Sequence, residues 1–345
     1  MSRPGLVALL RRPRRHGHDP AGGVSLSRLF VAAAAVACLA VPSTAFAQLA
    51  GFNTKGDYGL MAGSPAFPGF SVTPMFFHYD GDRLRNASGA SRPDGNIVPE
   101  RRPDLNVNGY TVGLTYGTDV EFLGAQLGFA TWLSLTDNIL EAPALGLSSK
   151  TPVGFGDLYV QPLLLWWAKE RADVTAGVGI FAPTGEYSPG GDANRGLGMW
   201  GFEFFGGTTV YFDEAKKWHF ATVGFYETHT KKRDTNIKVG DILTLEGGLG
   251  RSFLDGAAVV GLAYYAQWKL AEDSIGDITP PIAFDIDKHR SFGFGPEVTL
   301  PIATDTKLIA LVNARFLWET GVRSTLEGKT LVVTATFPVP SFAFE

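Results

Sequence analysis

His289 and Ser291 come closest to a catalytic pair by residue type and spacing in this 345-residue sequence. A histidine can remove the proton of a serine hydroxyl, which then attacks an ester. However, alternation with Phe292 and Phe294 directs both side chains away from the apolar side of their segment. A match of this length arises easily by chance, so we expect no catalytic residue.

Metal and cofactor sites leave no recognisable pattern in the sequence. The histidines beyond residue 47 are too scattered to suggest metal ligands; they are His78, His219, His229 and His289. There is also no zinc-ligand spacing, no phosphate-binding glycine loop followed by lysine, and no Gly-x-Ser-x-Gly motif. We therefore expect neither a metal nor a cofactor.

Ten polar residues at alternate positions of largely apolar segments form the main candidate site. If the apolar sides of these segments face lipid, the polar sides must face inward, because a charge facing lipid costs several kcal/mol. The expected lumen-lining residues are Gln126, Gln161, Glu203, Glu227, Glu246, Gln267, Lys269, Glu297, Asn313 and Arg315.

The four acids and two bases in this set allow two interpretations. In the first, ion pairs close a narrow lumen, for instance Arg315 with Glu297 or Lys269 with Glu246. In the second, the charges form a polar path or a selectivity ring. The sequence favours the first, because the lumen of a small barrel tends to fill with side chains.

Strict alternation of apolar with small or polar residues identifies the elements that carry these side chains. From Ala258 to Lys269, for example, every second residue is apolar, which is typical of a β-strand. Most such segments reach the ~9–11 residues of a tilted membrane strand. We predict twelve strands, at 70–79, 108–117, 122–134, 155–168, 172–183, 198–212, 217–230, 239–252, 257–270, 289–301, 306–320 and 328–340.

The connections between these strands alternate in length. Long ones are expected at 80–107, 135–154, 184–197, 231–238, 271–288 and 321–327. Short ones centre on Thr118-Asp119, Lys169-Glu170-Arg171, Asp213-Glu214-Ala215-Lys216, Asp255-Gly256 and Ala303-Thr304-Asp305. Outer-membrane barrels have long external loops and short periplasmic turns. The fold class is therefore all-β, a transmembrane antiparallel up-and-down β-barrel of about 12 strands (residues 70–340), with a soluble sandwich or propeller as the alternative.

Residues 1–47 have the features of a cleaved signal peptide. Six arginines precede an uncharged run from Leu29 to Val41, and Ala45-Phe46-Ala47 supplies a cleavage site before Gln48. Lipoprotein cleavage before Cys38 is the weaker alternative. The rest of the chain has 24 basic and 33 acidic residues, a net charge of −9. Such an acidic chain gives no support to nucleic-acid binding.

Residues 48–69 are too rich in glycine and proline for a strand. They form either a periplasmic segment or a plug inside the barrel. Three prolines predict bulges or kinks in strands, and a kinked strand could open a lateral gap toward lipid; they are Pro74, Pro162 and Pro296. The loop Asp80 to Pro103 carries five arginines among four acids, and it either contacts anionic lipopolysaccharide or is merely solvated.

A family resemblance emerges at Gly154-Phe155-Gly156-Asp157-Leu158 and Gln161-Pro162. It continues at Ala182-Pro183-Thr184-Gly185-Glu186-Tyr187, at Asn194, Gly196, Gly198 and Trp200, at Thr208-Thr209-Val210-Tyr211 and at Gly261-Leu262-Ala263-Tyr264-Tyr265. Over roughly residues 55 to 340 the chain resembles the outer-membrane transporter family named for the meta-pathway of phenol degradation. Barrels of this kind often end on an aromatic residue, whereas this chain ends Phe342-Ala343-Phe344-Glu345.

The resemblance implies passive uptake of small hydrophobic or aromatic compounds across the cell outer membrane, as in fatty-acid channels. The alternatives are a general porin, a structural barrel or adhesin, and an outer-membrane phospholipase that uses His-x-Ser. The expected partners are outer-membrane lipid and lipopolysaccharide, the barrel assembly machinery and a small hydrophobic substrate.

Overall fold

The computed structural model describes residues 49–91, 103–142, 147–189, 194–275 and 288–339. The expected signal peptide, Cys38 and the C-terminal residues Phe342 to Glu345 lie outside the described residues, as does the middle of the loop Asp80 to Pro103. Among the residues described, no helix is long and apolar enough to cross a membrane.

Thirteen strands account for most of the described residues, because their side chains alternate in polarity with the period of a β-strand. They are β1 (Gly69–Leu84), β2 (Asp104–Phe122), β3 (Ala125–Ala142), β4 (Leu147–Phe155), β5 (Leu158–Ala168), β6 (Ala172–Ala182), β7 (Gly201–Tyr211), β8 (Trp218–His229), β9 (Ile242–Phe253), β10 (Ala258–Lys269), β11 (Arg290–Ala303), β12 (Leu308–Arg323) and β13 (Leu326–Val339).

The sheet closes on itself. β1 pairs with β13 on one side and with β2 on the other, and neighbouring strands are antiparallel throughout the described sheet. β3 pairs with β5 along its first half and with β4 along its second half. β4 and β5 therefore share one position in the wall, interrupted at Gly156 and Asp157. The result is a closed antiparallel barrel of twelve strand positions, which confirms the predicted fold class.

Three predicted connections are wrong. β2 continues through Thr118-Asp119, and the turn falls at Leu123 and Gly124, where both residues have positive φ. The predicted loop 135–154 is mostly strand, because β3 and β4 extend to Ala142 and from Leu147. Between β12 and β13 only residues 324–325 intervene, with Ser324 at positive φ, so the expected long loop 321–327 is a tight turn.

The outer surface of the barrel is an apolar band. Large side chains of alternate residues are exposed there, including Phe204, Leu262 and Phe294 at 53%, 53% and 47%. The intervening residues, such as Glu203, Ala263 and Tyr265, are buried inside. This arrangement is the reverse of a soluble protein and is typical of a barrel that contacts lipid.

Of the three prolines expected to cause bulges or kinks, one accompanies a bulge. At Pro162 the pairing of β5 with β6 shifts between Val160 and Leu163. At Pro74 and Pro296 the register continues unshifted on both sides of the proline, so neither has a bulge, and the alternative of a kink stays a prediction. A missing N–H costs one ladder hydrogen bond but does not by itself insert an extra residue.

Candidate functional site: the barrel lumen

Residues 49–68, hereafter the lumen segment, run along the inside of the barrel. The segment joins β1 at Gly69, at the end where the connections are short. It extends back to Leu49, whose carbonyl oxygen accepts a hydrogen bond of 2.8 Å from Lys269 Nζ at the opposite end of β10. The short connections are periplasmic in outer-membrane barrels. The lumen segment therefore follows the lumen from the periplasmic end to the end with the long loops.

Inward-facing glutamates bind the backbone of the lumen segment. Three carboxylates accept N–H hydrogen bonds of 2.6 to 3.2 Å, from Phe52 and Asn53 to Glu227, from Gly56 and Tyr58 to Glu246, and from Leu60 to Glu297. An irregular segment has no ladder to satisfy its N–H groups, and buried N–H groups need acceptors. Charged acceptors supply the stronger hydrogen bonds. The inward acids thus have a structural partner that the sequence did not identify.

Glycines allow the lumen segment to lie this close to the wall. A Cβ added at Gly63 would lie 2.5 Å from Thr208 Cα and from Thr209 N, both of which are backbone atoms of β7. A Cβ at Gly59 would overlap the Glu297 carboxylate. Gly56 has a φ of +84°, which a residue with a side chain rarely adopts. The glycine content of this segment therefore reflects close approach to the wall.

Of the ten polar residues expected to line the lumen, nine are buried inside the barrel and one is exposed. Nine of them are buried, at 0 to 8% exposure: Gln161, Glu203, Glu227, Glu246, Gln267, Lys269, Glu297, Asn313 and Arg315. Gln126 is exposed near the periplasmic end and accepts a hydrogen bond of 2.7 Å from Trp166 Nε1. Whether any of them contacts a permeating compound stays a prediction.

The two suggested ion pairs fare differently. Arg315 Nε lies 3.8 Å from Glu297 Oε2, so that pair is present. Lys269 pairs instead with Asp273, at 2.6 Å, and Glu246 is occupied by backbone N–H groups. The pairing of Lys269 with Glu246 was therefore wrong.

Glu319 is an anchor that the candidate list missed. Its carboxylate pairs with Lys55 of the lumen segment and accepts hydrogen bonds from the hydroxyls of Tyr79, at 2.9 Å, and Tyr265, at 2.6 Å. Glu319 has the same alternation parity as Arg315, so the signal was available. Glu319 lies within the predicted strand 306–320 and on its polar side, yet the set of expected lumen residues did not include it.

Asp157 fixes the long loop between β6 and β7. Its Oδ1 accepts a hydrogen bond of 2.8 Å from Gly185 N, and its Oδ2 accepts one of 2.7 Å from Leu197 N. The β4–β5 interruption places this carboxylate beside the loop. The Gly-Phe-Gly-Asp and Ala-Pro-Thr-Gly motifs therefore contact each other. A second hydrogen bond between these two segments, of 2.9 Å, runs from Leu158 N to Thr184 Oγ1.

Apolar side chains pack where the loops meet the lumen segment. Met199 and Val239, from two different loops, are buried with Ile242, and Phe52 packs against them. The Phe52 ring also stacks on Phe181 at 4.5 Å. Lys232 is buried beside this cluster and donates 2.8 Å to Leu197 O. Burial lowers the pKa of Lys232 to about 8.

A cavity of about 750 Å³ lies between the lumen segment and one side of the wall. Its lining reaches from Ser71 and Tyr211, near the periplasmic end, to Thr136 and Arg195, near the loop end. The four adjacent strands β13, β1, β2 and β3 contribute eight hydroxyl side chains: Ser71, Thr73, Thr111, Thr115, Ser134, Thr136, Thr334 and Thr336. Their other lining residues are Met75 and Trp132, so these four strands add no charge to the lining.

Aromatic rings and charged groups share the rest of the cavity lining. The rings come from the lumen segment and from strands β5 to β8, and include Phe52, Tyr58, Phe67, Tyr159, Phe181, Phe205, Tyr211 and Phe225. The charged side chains are Asp57, Asp157, Asp173, Arg195, Glu203 and Arg315. A cavity lined by hydroxyls, rings and a few charged groups suits a small molecule that combines apolar surface with few polar groups.

His289 and Ser291 do not form a catalytic arrangement. Ser291 is fully buried, and its Oγ accepts a hydrogen bond of 3.3 Å from Lys55 Nζ. His289 Nε2 lies 3.3 Å from Gln267 Oε1 instead of contacting the serine. Within the described part of the chain, no group of three or more His, Cys, Asp or Glu residues could hold a metal ion.

The closed barrel and its apolar outer band define an outer-membrane β-barrel. The chain belongs to the family described as "Putative MetA-pathway of phenol degradation", whose pattern matches residues 81–335.

Solved structures resemble this chain at low sequence identity, and the first of those that follow shares its fold. The COG4313 outer membrane channel from Pseudomonas putida F1 is 15% identical, with a TM-score of 0.66, over 83% of this chain and 99% of that chain. The beta domain of the Bordetella autotransporter BrkA is 14% identical, with a TM-score of 0.44, over 79% and 100%. A Pseudomonas aeruginosa FadL homologue is 9% identical, with a TM-score of 0.40, over 84% and 99%. No curated protein matches the sequence.

Proposed function

We propose that this barrel is a passive channel for small hydrophobic or aromatic compounds, and that it has no enzymatic activity. The observation that carries the proposal is the cavity of about 750 Å³, which follows the lumen and is lined by hydroxyl side chains on one side and by aromatic rings with a few charged groups on the other. Apolar pockets of this size bind small molecules through their rings and use few polar groups to orient them. The family's description, which refers to phenol degradation, agrees with a cargo of this class.

The lumen segment acts in this proposal as a fixed wall of the passage. Its backbone is bound along its length by Glu227, Glu246 and Glu297, and Lys55 is bound by Glu319. Hydrogen bonds to charged groups contribute roughly 1.5–3 kcal/mol each, so withdrawal of the whole segment is costly. Compounds therefore move beside the segment, and the space that it fills is closed to ion flow.

The outer-membrane lipid, the barrel assembly machinery and lipopolysaccharide are the proposed partners. Lipopolysaccharide would meet the loop Asp80 to Pro103. In the described part of that loop, Arg85 forms hydrogen bonds of 2.9 and 2.7 Å with Glu327, and Arg83 lies 3.6 Å from the same carboxylate. Both arginines are thus paired within the protein, which favours a solvated loop.

Uptake into vesicles with a lipopolysaccharide outer leaflet tests the proposal, since such a leaflet slows unassisted diffusion of hydrophobic compounds. Residues 48–345 are inserted, and entry of labelled toluene and ionic conductance are both recorded. We expect saturable toluene entry with little ion current. Thr111→Trp, which adds a large ring to the cavity lining, should reduce entry, while Leu254→Trp at an exposed turn should not.

Other outcomes would identify another function. A steady ion current that Thr111→Trp does not change would make the protein a general porin. No permeation of toluene or ions would leave a structural barrel. Lipid hydrolysis that is abolished by Ser291→Ala would identify the protein as an outer-membrane phospholipase.

A further inference from the structure

Two arginines lie side by side on the outward surface of the barrel, at the end with the long loops. Arg290 is the first residue of β11 and Arg323 is the last residue of β12, and the two are direct partners across these antiparallel strands. The Cα atoms of such partners lie about 4.5–5.5 Å apart. Like charges directly opposite each other repel, so this arrangement is unfavourable in the protein alone and favours binding of an anion.

A β-bulge in β12 directs Arg323 outward. Between the strand partners of Arg290 and Phe292, β12 contains one residue more than β11. Under regular alternation Arg323 would share the inward direction of Glu319, which is buried, yet Arg323 is exposed. Gly321 supplies the left-handed conformation of the bulge with a φ of +60°, and a Cβ on it would lie 2.8 Å from the Phe292 ring. The bulge therefore places the second arginine on the same surface as the first.

Both guanidinium groups are available to a ligand. Arg290 Nε donates a hydrogen bond of 3.1 Å to Gly321 O, and the guanidinium carbon lies 5.3 Å from the centre of the Phe292 ring. These contacts hold Arg290 in place without using Nη1 or Nη2. In the part of the chain that the structure describes, neither of these nitrogens has a hydrogen bond or an ion pair, and the Arg323 side chain has none either.

Aromatic rings on the same surface indicate the depth of the two arginines in the membrane. Trp268 is the partner of Arg290 on β10, and its ring lies 5.5 Å from that of Phe292. Trp318 and Phe294, nearer the middle of the barrel, are partners on β12 and β11 and are 44% and 47% exposed. Aromatic belts mark the level at which the hydrocarbon meets the lipid headgroups. The arginines lie on the loop side of these rings, at the level of the outer-leaflet headgroups.

We propose that Arg290 and Arg323 together bind a phosphate group of lipopolysaccharide, the anionic lipid of the outer leaflet. A phosphate monoester carries about two negative charges and three acceptor oxygens, so one group bridges both guanidinium groups. Arginine suits this role because its planar fork binds phosphate through two parallel hydrogen bonds. The site differs from the loop Asp80 to Pro103, whose described arginines pair with Glu327. It rests on the outer-membrane location of the barrel and does not depend on the transported compound.

Lipid binding to the folded barrel tests the inference separately from transport. Residues 48–345 are refolded in detergent, and native mass spectrometry measures the binding of diphosphoryl lipid A, of lipid A from which both phosphates have been removed, and of phosphatidylglycerol. We expect diphosphoryl lipid A to bind roughly tenfold more tightly than the other two lipids. Inorganic phosphate at the same concentration should not displace it, because the acyl chains also contact the apolar band.

A double variant and a matched control separate phosphate binding from folding. Arg290→Gln with Arg323→Gln should weaken the binding of diphosphoryl lipid A roughly tenfold and leave that of dephosphorylated lipid A unchanged. Arg251→Gln is the control, because Arg251 is also an exposed arginine near aromatic rings, 5.0 Å from that of Trp218 and 4.8 Å from that of Phe253, but lies at the periplasmic end. It should leave lipid A binding unchanged. Retained heat-modifiable migration establishes that each variant is folded.

The outcomes separate this site from the proposed transport. Equal binding of phosphorylated and dephosphorylated lipid A to the unaltered barrel would overturn the inference. Phosphatidylglycerol that binds as tightly as lipid A, or displacement by inorganic phosphate, would show that the site does not select lipopolysaccharide and would overturn it as well. Toluene entry with lipid A binding unchanged in the double variant would refute the site and leave the channel. If the double variant fails to fold, Arg323→Gln decides, because the Arg323 side chain has no hydrogen bond among the described residues, and unchanged lipid A binding in that variant would overturn the inference.

Discussion

Gly63→Ala tests whether the lumen segment is fixed to the wall of β7. The new methyl group would lie 2.5 Å from Thr208 Cα and Thr209 N, about 1 Å inside ordinary contact distance. These atoms belong to a strand that is hydrogen-bonded on both sides, so the lumen segment must move instead. Movement breaks two hydrogen bonds, from Gly63 N to Thr209 Oγ1 at 3.2 Å and between Ser64 and Thr209 at 3.3 Å.

The loss can be converted into a population change. Two neutral hydrogen bonds contribute roughly 0.5–1.5 kcal/mol each, so undocking becomes more favourable by roughly 1–3 kcal/mol. That shifts the ratio of undocked to docked segment by roughly 5-fold to 150-fold at 25 °C. Local undocking near Ser64 should rise by this factor, while the glutamate contacts nearer Leu49 stay in place.

Maleimide labelling of Ser64→Cys measures this population. Cys38 is the only cysteine in the sequence and lies before the expected mature N-terminus, so residues 48–345 carry no competing thiol. Because Ser64→Cys already removes the Ser64 hydroxyl, only the Gly63 N bond to Thr209 remains to be broken in this background, and we expect Gly63→Ala to accelerate labelling by roughly 2-fold to 12-fold. Gly206→Ala in β7 is the matched control, because its nearest contact would be 3.8 Å away. Equal labelling rates with and without Gly63→Ala would refute the close approach of the segment to β7.

Three further changes test other parts of the structure. Asp157→Ala removes the acceptor of two loop N–H groups, so trypsin should cleave at Arg195 of that loop on intact cells, and Asp157→Asn should expose Arg195 less. Resistance of Arg195 to trypsin in both variants would contradict the role of Asp157 in holding the loop. Leu262→Lys on the outer band should weaken the free energy of folding into bilayers by about 2–4 kcal/mol, and Leu254→Lys at an exposed turn should leave it unchanged. Equal folding free energies for the two variants would contradict a lipid-facing surface. Burial lowers the pKa of Lys232 from its unfolded value of 10.5 to about 8. Because the released loop then binds more protons between pH 8 and 10.5, loop docking should strengthen as pH rises through this window. Hydrogen exchange of the loop amides should show this stronger docking, and Lys232→Met should abolish the pH dependence. Loop protection that does not change with pH in the wild type would contradict the burial of Lys232.

The sequence predicted the barrel well because its alternation is a local signal. Ala258 to Lys269 shows which side chains face inward without knowledge of any neighbour, and the same reasoning placed Glu203, Glu246 and Arg315 inside. Turn positions were less accurate. The φ values that place a turn at Leu123 and Ser324 are uncommon for such residues, so composition did not identify them.

The partners of the inward residues could not be predicted from local patterns. Glu227 and Phe52 are 175 residues apart, and an irregular segment has no period that fixes its path. The glycine content of residues 48–69 indicated an unusual backbone but did not distinguish a periplasmic tail from a segment in the lumen. Asp157 belonged to a recognisable motif, yet its contacts with Gly185 and Leu197 required the fold.

Toluene entry through a barrel whose lumen segment is pinned tests the central claim most directly. Ser64 and Thr209 hydroxyls lie 3.3 Å apart, so Ser64→Cys with Thr209→Cys should form a reversible disulfide. Ser64→Cys with Thr299→Cys, four strands away from β7, should form none. If the segment is a fixed wall, the oxidised and reduced Ser64→Cys, Thr209→Cys barrels admit toluene at the same rate with little ion current. Entry that stops on oxidation and returns on reduction would contradict the account, because the segment would then be a gate that has to move.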